Sequence, residues 1–487
     1  MLPRTSIKRD PSFPAKGLRD AFRNPVDGVP FHDDKPAFAQ QHPESIAPIR
    51  GIPAVTTRRT FLAQTAVATV AIVQARRALA LTAAPDGALP TGVDPSLLKR
   101  AESLLQRAPL IDTHNDLPSN LLEVVAGDLT RLDLSVRQPT LCADVPSLRA
   151  GRVGAQYWSV FVESSTQNTH VSLHEALREF DVALRSMHGQ SAFQQARTAD
   201  DIERISQSGK IACLIGVEGG HMIENSPAAL RVFYELGARY LTLTHWDNID
   251  WADAATDRAE HYGLTDLGRQ LVREMNRLGM FADLSHVSAD TMRDALHITR
   301  APVIFSHSGA YAINPHPRNV PDDVLRLTRD NGGVVHVNFI RNFVSHDGQA
   351  WLERRDVALR EMRGRLSDSA AIALDIARWE QSEGPSKAAV GDVADHIDHI
   401  RHVAGIDHVG IGADFYKADE SEMATGLGNV TRYPYLFAEL LRRGYGDEDV
   451  LKIAGRNHLR AMRRMEQVAA ELQKTEAPLI TEGIKAK

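Results

Sequence analysis

The sequence predicts an α/β protein whose parallel strands close into a (β/α)8, or TIM, barrel. From about residue 100 onward, short apolar runs rich in β-branched residues alternate with amphipathic helical segments, and this alternation favours a parallel sheet covered by helices. The sequence contains eight such runs, which is the number of strands that closes a barrel of this type. The predicted strands are residues 109–116, 154–163, 211–219, 239–245, 280–286, 302–307, 333–339 and 408–415.

The segments that precede the first strand predict a leader and a signal rather than part of the fold. Residues 1–57 contain nine of the chain's 24 prolines and no sustained apolar periodicity, which predicts a disordered leader. Residues 58–80 resemble a twin-arginine export signal, because Arg58-Arg59 is followed by an apolar, Ala-rich run and by small residues at Ala78-Leu79-Ala80. The apolar run is shorter than the roughly 20 residues needed to span a bilayer. We therefore expect a periplasmic protein without a stable membrane span. The alternative is an ordinary Ala-rich helix in a cytoplasmic protein.

The rest of the chain is expected to form one domain over residues 81–475, followed by a loose tail over residues 476–487. A longer polar helical stretch of residues 346–395 separates the last two predicted strands. A further helix is predicted over residues 447–472.

Composition excludes several classes of function. The net charge is −6, and without clustered positive charge we expect no nucleic acid among the partners. Two cysteines, Cys142 and Cys213, are too few for a disulfide scaffold or a four-thiolate zinc site. The 20 histidines are the feature that points to chemistry, because imidazole is the commonest metal ligand.

Polar residues stand at the carboxyl ends of the predicted strands, which all lie on one face of a barrel. His114 and Asp116 are two apart on an extended strand, so their side chains point the same way and can share a cation. His286 and His307 end consecutive strands and can form a second half-site, and Glu218 at another strand end can bridge both cations. Each residue alone is readily explained as a core residue, but together they predict catalytic Zn²⁺.

These strand ends belong to a longer series of motifs. The series resembles, in the order of its members, the renal or membrane dipeptidase family of binuclear zinc peptidases, and it covers about residues 100–465. The matching segments are LIDTHND (110–116), GVEG (216–219), LTLTH (241–245), DLSH (283–286), PVIFSHS (302–308), RNVPDD (318–323) and DHVGIGADF (407–415).

The resemblance implies a barrel of the metal-dependent hydrolase type that holds two Zn²⁺ per chain. One ion would be bound by His114 and Asp116 and the other by His286 and His307, with Glu218 bridging the two. The implied reaction is hydrolysis of the peptide bond of dipeptides, including those with a C-terminal D-residue, by a hydroxide that bridges the metals. A homodimer is also implied.

The resemblance assigns three further residues to the substrate. His245 would contact it near the reacting carbonyl, Arg318 would bind its terminal carboxylate, and Asp414 would move protons. The implied catalytic residues are therefore Asp414, His245 and Glu218. A planar guanidinium suits a carboxylate, and a carboxylate suits proton transfer to a leaving amine.

Two alternatives to a dipeptidase remain open. Members of the family often continue the last motif with Asp-Gly, whereas this chain has Tyr416-Lys417, which puts the substrate preference in doubt. One alternative is a metal-dependent hydrolase of another small amide, lactam or ester, and another is a non-catalytic exported barrel that binds peptides or metal. His396, His399 and His402 recur every three residues on a predicted helix, where we expect them to be partly solvated rather than metal ligands.

Overall fold

The computed structural model describes residues 93–384, 386–418 and 420–480. The predicted leader, the predicted signal segment and residues 481–487 of the predicted tail lie outside the described residues. Within the described ranges, no helix is both long and apolar enough to cross a membrane.

A closed barrel of parallel strands confirms the predicted fold class. Each of the eight predicted strands is present, and the barrel closes where β2 pairs with β4 from Ala155–Ala212 to Phe161–Glu218. The short β3 was not predicted, and it pairs in parallel with the first three residues of β4. The strands are β1 (Leu110–Asn115), β2 (Val153–Phe161), β3 (Phe193–Gln195), β4 (Ile211–Glu218), β5 (Ala238–Thr242), β6 (Phe281–Asp283), β7 (Ile304–Ser308), β8 (Val334–Val337) and β9 (Val409–Ile411).

Helices cover the outside of the barrel. Before β7 they are α1 (Pro95–Leu104), α2 (Leu117–Val125), α3 (Val145–Ala150), α4 (Ser172–Gly189), α5 (Ala199–Gln207), α6 (Pro227–Leu236), α7 (Asp266–Leu278) and α8 (Ala289–Ile298). After β7 they are α9 (Asp322–Asn331), α10 (Arg341–Val344), α11 (His346–Arg365), α12 (Ser369–Glu383), α13 (Val390–Val403), α14 (Tyr433–Arg442), α15 (Asp447–Leu451) and α16 (Asn457–Leu472).

Helix α7 shows how sequence sets these elements. The Thr265 hydroxyl accepts the Gly268 N–H and caps its start, and Gly279, at φ 85°, ends it in the left-handed conformation that glycine adopts without strain. Leu271 and Met275, one helical turn apart, are fully buried toward the barrel. Burial of each such side chain contributes roughly 1.5–3 kcal/mol.

The predicted polar helical stretch between the last two strands forms α11, α12 and α13. Helices α11 and α12 pack on each other through a small apolar cluster of their own, formed by Ala358, Met362 and Ile376. Helix α13 packs against the barrel, where Ile397 and Ile400 are fully buried.

The predicted C-terminal helix is divided by a π-helical turn, Lys452–Arg456, between α15 and α16. Gly455 lies in this turn, and a Cβ there would come within 2.3 Å of the Pro109 carbonyl oxygen, so a glycine lets the helix approach β1 closely. Residues 476–480 of the predicted loose tail are described. The Leu479 N–H donates to Glu274 at 3.1 Å and its carbonyl accepts from Arg231 at 2.9 Å, so the tail contacts the outer helices as far as Leu479.

Candidate metal centre and substrate pocket

The polar residues predicted at the strand ends lie around Glu218, the last residue of β4. One carboxylate oxygen of Glu218, Oε2, is 3.4 Å from His114 Nε2. The other, Oε1, is 3.0 Å from His286 Nε2 and 3.3 Å from His307 Nε2. All four side chains are buried. Because its two oxygens face different imidazoles, Glu218 divides the centre into two half-sites.

The first half-site contains His114 and Asp116. His114 Nε2 is 3.6 Å from Asp116 Oδ2 and 3.9 Å from Asp414 Oδ1, and it has no hydrogen-bond partner among the described residues. Two backbone bonds join the loops concerned, since Asp116 N–H donates to the Phe415 carbonyl and Asp414 N–H to the His114 carbonyl. Nε2 of His114 therefore faces three carboxylates, those of Asp116, Asp414 and Glu218.

Tyr240 determines which nitrogen of His114 carries the proton. The Tyr240 hydroxyl donates to the Thr113 carbonyl at 3.1 Å and lies 3.0 Å from His114 Nδ1. With its single proton directed at Thr113, the hydroxyl oxygen accepts from the His114 Nδ1–H. In the neutral form of His114, the lone pair is then on Nε2, where it points to the carboxylates, and this is the geometry of a metal ligand oriented by a hydrogen bond on its other nitrogen.

The second half-site contains His286 and His307, whose Nε2 atoms are 2.9 Å apart. The Ser306 hydroxyl donates to Asp283 at 2.5 Å and lies 2.8 Å from His307 Nδ1, so it accepts the Nδ1–H and leaves the lone pair of His307 on Nε2. Burial lowers the pKa of both His286 and His307 well below the usual range, which keeps them in the neutral form that binds metal. Together with the facing carboxylates, these imidazoles are donors that suit divalent cations.

The backbone is strained at two residues of the centre. His286 and Asp414 both have φ 68°, in the left-handed region that L-residues other than glycine rarely adopt. Such residues cost on the order of 1–3 kcal/mol and persist where the surroundings over-determine them, often at functional sites. Burial raises the pKa of Asp414 to about 7, against the opposing effect of His114.

A cavity of about 470 Å³ opens beside the centre. This volume is that of a small-molecule site. Its lining includes Glu218, His245, His286 and Asp414, together with Tyr416 and Lys417. Tyr416 and Lys417, the two residues that differ from the usual family pattern, both contact Glu422 and form part of the cavity wall.

His245 lies between the cavity and the centre. Its Nε2 is 3.8 Å from Glu218 Oε1, and its ring meets the edge of Phe161 at a centroid distance of 4.8 Å. Burial lowers its pKa well below the usual range, so the imidazole is neutral at pH 7. A neutral imidazole carries one N–H that can donate to a substrate oxygen.

Arg318 is wholly buried in the loop between β7 and α9, and it is not part of the cavity lining. Its Nη2 donates to the His307 carbonyl at 3.2 Å, whereas Nε and Nη1 have no hydrogen-bond partner in the described part of the chain. The guanidinium carbon is 5.4 Å from the ring of Phe343, which does line the cavity. Burial lowers the pKa of Arg318 to about 10, so it remains a cation at neutral pH.

Sequence reasoning missed the residues that orient the imidazoles, above all Tyr240. The signal that could have found it is Gly216 in the neighbouring strand β4. A Cβ at Gly216 would lie 1.8 Å from Tyr240 Cζ, so the glycine provides the space that the ring occupies inside the barrel.

Comparison with known proteins identifies the family and supports the fold. The sequence profile of the family described as "Membrane dipeptidase (Peptidase family M19)" matches residues 98–476. Among solved structures, the probable dipeptidase PvdM from Pseudomonas aeruginosa is similar, with a TM-score of 0.66 and 22% identity over 77% of this chain and 100% of that one.

Two further structures share the fold. A metallo peptidase from Rhodobacter sphaeroides, liganded with a phosphinate mimic of the dipeptide L-Ala-D-Ala, has a TM-score of 0.59 and 23% identity over 74% of this chain and 99% of that one. An amidohydrolase from Pseudomonas aeruginosa has a TM-score of 0.56 and 21% identity over 75% of this chain and 98% of that one. At these identities the structures establish the fold alone.

Proposed function

The chain belongs to the membrane dipeptidase family, Peptidase family M19, and on that premise we propose that it is a dipeptidase that works with two Zn²⁺ per chain. Membership makes it a metallopeptidase that hydrolyses peptide bonds. The observation that carries the finer proposal is Glu218, whose two oxygens face separate half-sites that each contain imidazole nitrogen.

Five side chains would hold the ions. His114 and Asp116 would bind one, His286 and His307 the other, and Glu218 both. Mixed imidazole and carboxylate donors are typical of catalytic zinc sites. When bound, a pair of divalent ions lowers the pKa of a water to about 7 and polarises a carbonyl, which provides hydroxide at neutral pH.

The remaining residues act on the substrate. His245 is neutral and lines the cavity, so its N–H can donate to the oxygen of the reacting carbonyl as negative charge develops. Asp414 lines the same cavity beside His114 and would carry a proton from the attacking water to the leaving amine. Arg318 is next to Phe343 of the cavity wall and would hold the C-terminal carboxylate, since two of its N–H-bearing nitrogens have no partner among the described residues.

A dipeptide is the substrate that these groups favour. A carboxylate anchor close to the centre places the scissile carbonyl of a dipeptide at the metals, and a longer C-terminal extension moves that carbonyl away. We include C-terminal D-residues in the proposal, because the Rhodobacter sphaeroides peptidase of the same fold is liganded with a mimic of L-Ala-D-Ala.

One experiment tests the proposal as a whole. Metal content of the purified protein, measured by mass spectrometry, should approach two zinc equivalents per chain, and a chelator should abolish hydrolysis of a small panel of L,L- and L,D-dipeptides. Lactams and esters in the same panel test the alternative of a broader hydrolase. This alternative is considered because Tyr416 and Lys417, which differ from the usual family residues, form part of the cavity wall. If the protein binds metal but hydrolyses none of these compounds, the result would support the alternative of a non-catalytic binding protein.

We expect Arg318→Met to lower kcat/KM for a free-carboxylate dipeptide roughly 10- to 150-fold, the equivalent of about 1.5–3 kcal/mol for a hydrogen bond to a charged group. The C-terminal amide of the same dipeptide should be a poor substrate of both proteins, and metal content should not change. Arg239→Met is the matched control. Arg239 is also a buried arginine that donates to backbone carbonyls, but it lies near the amino end of β5, whereas the candidate site is at the carboxyl ends of the strands. Equal cleavage of dipeptide, amide and tripeptide by the unaltered protein would show that Arg318 is not the anchor.

Removal of the Tyr240 hydroxyl should weaken metal binding. We expect Tyr240→Phe to reduce zinc affinity about 10- to 100-fold, the usual effect of losing a group that orients a metal-binding histidine. Competition with a chromophoric chelator measures this directly. Tyr157→Phe is the control, because Tyr157 stacks on Tyr240 at 5.5 Å but its hydroxyl bonds to His458. Equal affinity of the two variants would contradict the role of Tyr240.

A further inference from the structure

His396, on helix α13, connects two segments that surround Arg318. Its Nδ1 is 2.7 Å from the Ala310 N, in the loop between β7 and α9. Its Nε2 is 3.0 Å from the carbonyl oxygen of Val344, the last residue of α10. The expectation of a partly solvated histidine was wrong at this position, because the side chain of His396 has no exposed surface.

The directions of both hydrogen bonds are fixed. A backbone N–H can only donate, so Nδ1 of His396 accepts from Ala310 and Nε2 carries the proton that goes to Val344. The imidazole is therefore neutral and both nitrogens are paired. Burial, which lowers the pKa of His396 to about 4, is consistent with this state.

The loop that His396 holds is the one that presents Arg318. Val320 N–H donates to the Gly309 carbonyl and Tyr311 N–H to the Val320 carbonyl, so the two ends of the loop are joined beside His396. Gly309 lies at this junction, and a Cβ there would come within 2.7 Å of His396 Nδ1. The loop therefore has little freedom to shift without breaking the bond to His396.

The second segment, which includes α10, also contacts Arg318 and its neighbour Asn319. Asn319, the residue next to Arg318, accepts the Gly309 N–H and donates to the Phe343 carbonyl at 2.7 Å. Phe343 in turn places its ring beside the guanidinium. His396 and Asn319 thus bond the same two segments together.

We propose that His396 is a positioning residue for recognition of the substrate carboxylate: by joining the Arg318 loop to α10, it keeps the unpaired N–H groups of Arg318 in the place where a carboxylate binds. This inference rests on the proposed function, in which Arg318 is the carboxylate anchor. His396 does not contact the substrate, and it acts through Arg318. A misplacement of the guanidinium by about 1 Å is enough to lower kcat/KM on the order of 100-fold, and for a carboxylate anchor most of that loss is expected in KM.

The test uses the full chain loaded with zinc and four variants. His396→Ala removes both hydrogen bonds, His396→Asn retains an acceptor close to the position of Nδ1, and His396→Gln retains a donor close to the position of Nε2. His402→Ala is the matched control, since His402 is exposed on the same helix. For each protein, kcat and KM are measured on a dipeptide and on its C-terminal amide, together with zinc content and thermal unfolding.

We expect His396→Ala to raise KM for the free-carboxylate dipeptide on the order of 10- to 100-fold, with a smaller change in kcat and none in zinc content. The preference for the acid over the amide should fall accordingly, and the Asn and Gln variants should each recover part of it. His402→Ala should match the unaltered protein. If His396→Ala does not fold, the Asn and Gln variants decide the question, because each removes one of the two bonds.

Two outcomes overturn the inference. The first is that the folded His396 variants keep the acid-to-amide preference although Arg318→Met abolishes it. His396 would then have no positioning role, and Arg318 would remain the anchor. A parallel loss of zinc and of activity on both substrates would show a general structural role. If Arg318→Met itself leaves the preference intact, the anchor assignment fails instead, and this result is separate from either of the others.

Discussion

Substitution of Glu218 by glutamine is expected to reduce bound zinc from two equivalents to one or fewer and to lower kcat/KM on the order of 1,000-fold. The neutral amide retains the shape of the side chain but replaces one of the two anionic oxygens with an NH2 group that cannot bind a cation. In the structure, one oxygen is 3.4 Å from His114 and the other 3.0 Å from His286, so either orientation of the amide disables one half-site. Loss of metal polarisation costs several kcal/mol of transition-state stabilisation, which corresponds to a rate effect of about this size.

The control for this substitution is Glu163→Gln. Glu163 lines the same cavity but has no ion pair with the histidines of the centre among the described contacts. The control therefore changes the charge of the cavity by the same amount and should keep both zinc equivalents. Full activity and unchanged zinc content in Glu218→Gln would refute the bridging role and, with it, the division into two half-sites.

The barrel could be predicted because short apolar strands that alternate with helices are typical of a parallel sheet, and eight such strands are the number that closes a barrel. Strand β3 could not be predicted, since its three residues, Phe193–Gln195, are mostly polar and depend on pairing with β4. The convergence of His114, Glu218 and His286 follows from the barrel itself, which brings strand ends together that lie far apart in sequence.

What sequence could not predict is the set of contacts that orient the site residues. Tyr240 and Ser306 each orient an imidazole through a hydroxyl group whose other partner, the Thr113 carbonyl or the Asp283 carboxylate, lies on a different strand. His396 belongs to a repeat of three histidines that a helix was expected to expose in part, yet the helix rotation buries the first of them completely. The left-handed conformation of His286 is likewise a property of the loop after β6 and has no signature in residue type.

Substitution of Asp414 by asparagine should lower kcat about 100- to 10,000-fold, the usual contribution of a positioned proton-transfer group. Asparagine is the appropriate replacement because Asp414 has φ 68°, a conformation that Asp and Asn tolerate better than other non-glycine residues. Alanine would add backbone strain to the measured effect. Asparagine keeps the size and hydrogen-bonding capacity of the side chain but cannot accept and release a proton at neutral pH, so KM should change little.

Zinc content decides what such a loss means. Asp414 Oδ1 is 3.9 Å from His114 Nε2, and His114, Asp116 and Asp414 together form a group that could hold a cation. If Asp414 transfers protons, Asp414→Asn retains both zinc equivalents and loses turnover. If Asp414 is instead a third ligand of the first half-site, zinc and turnover fall together. Glu123→Gln removes a carboxylate from the same cavity and should alter neither, which separates the effect of Asp414 from the general charge of the pocket.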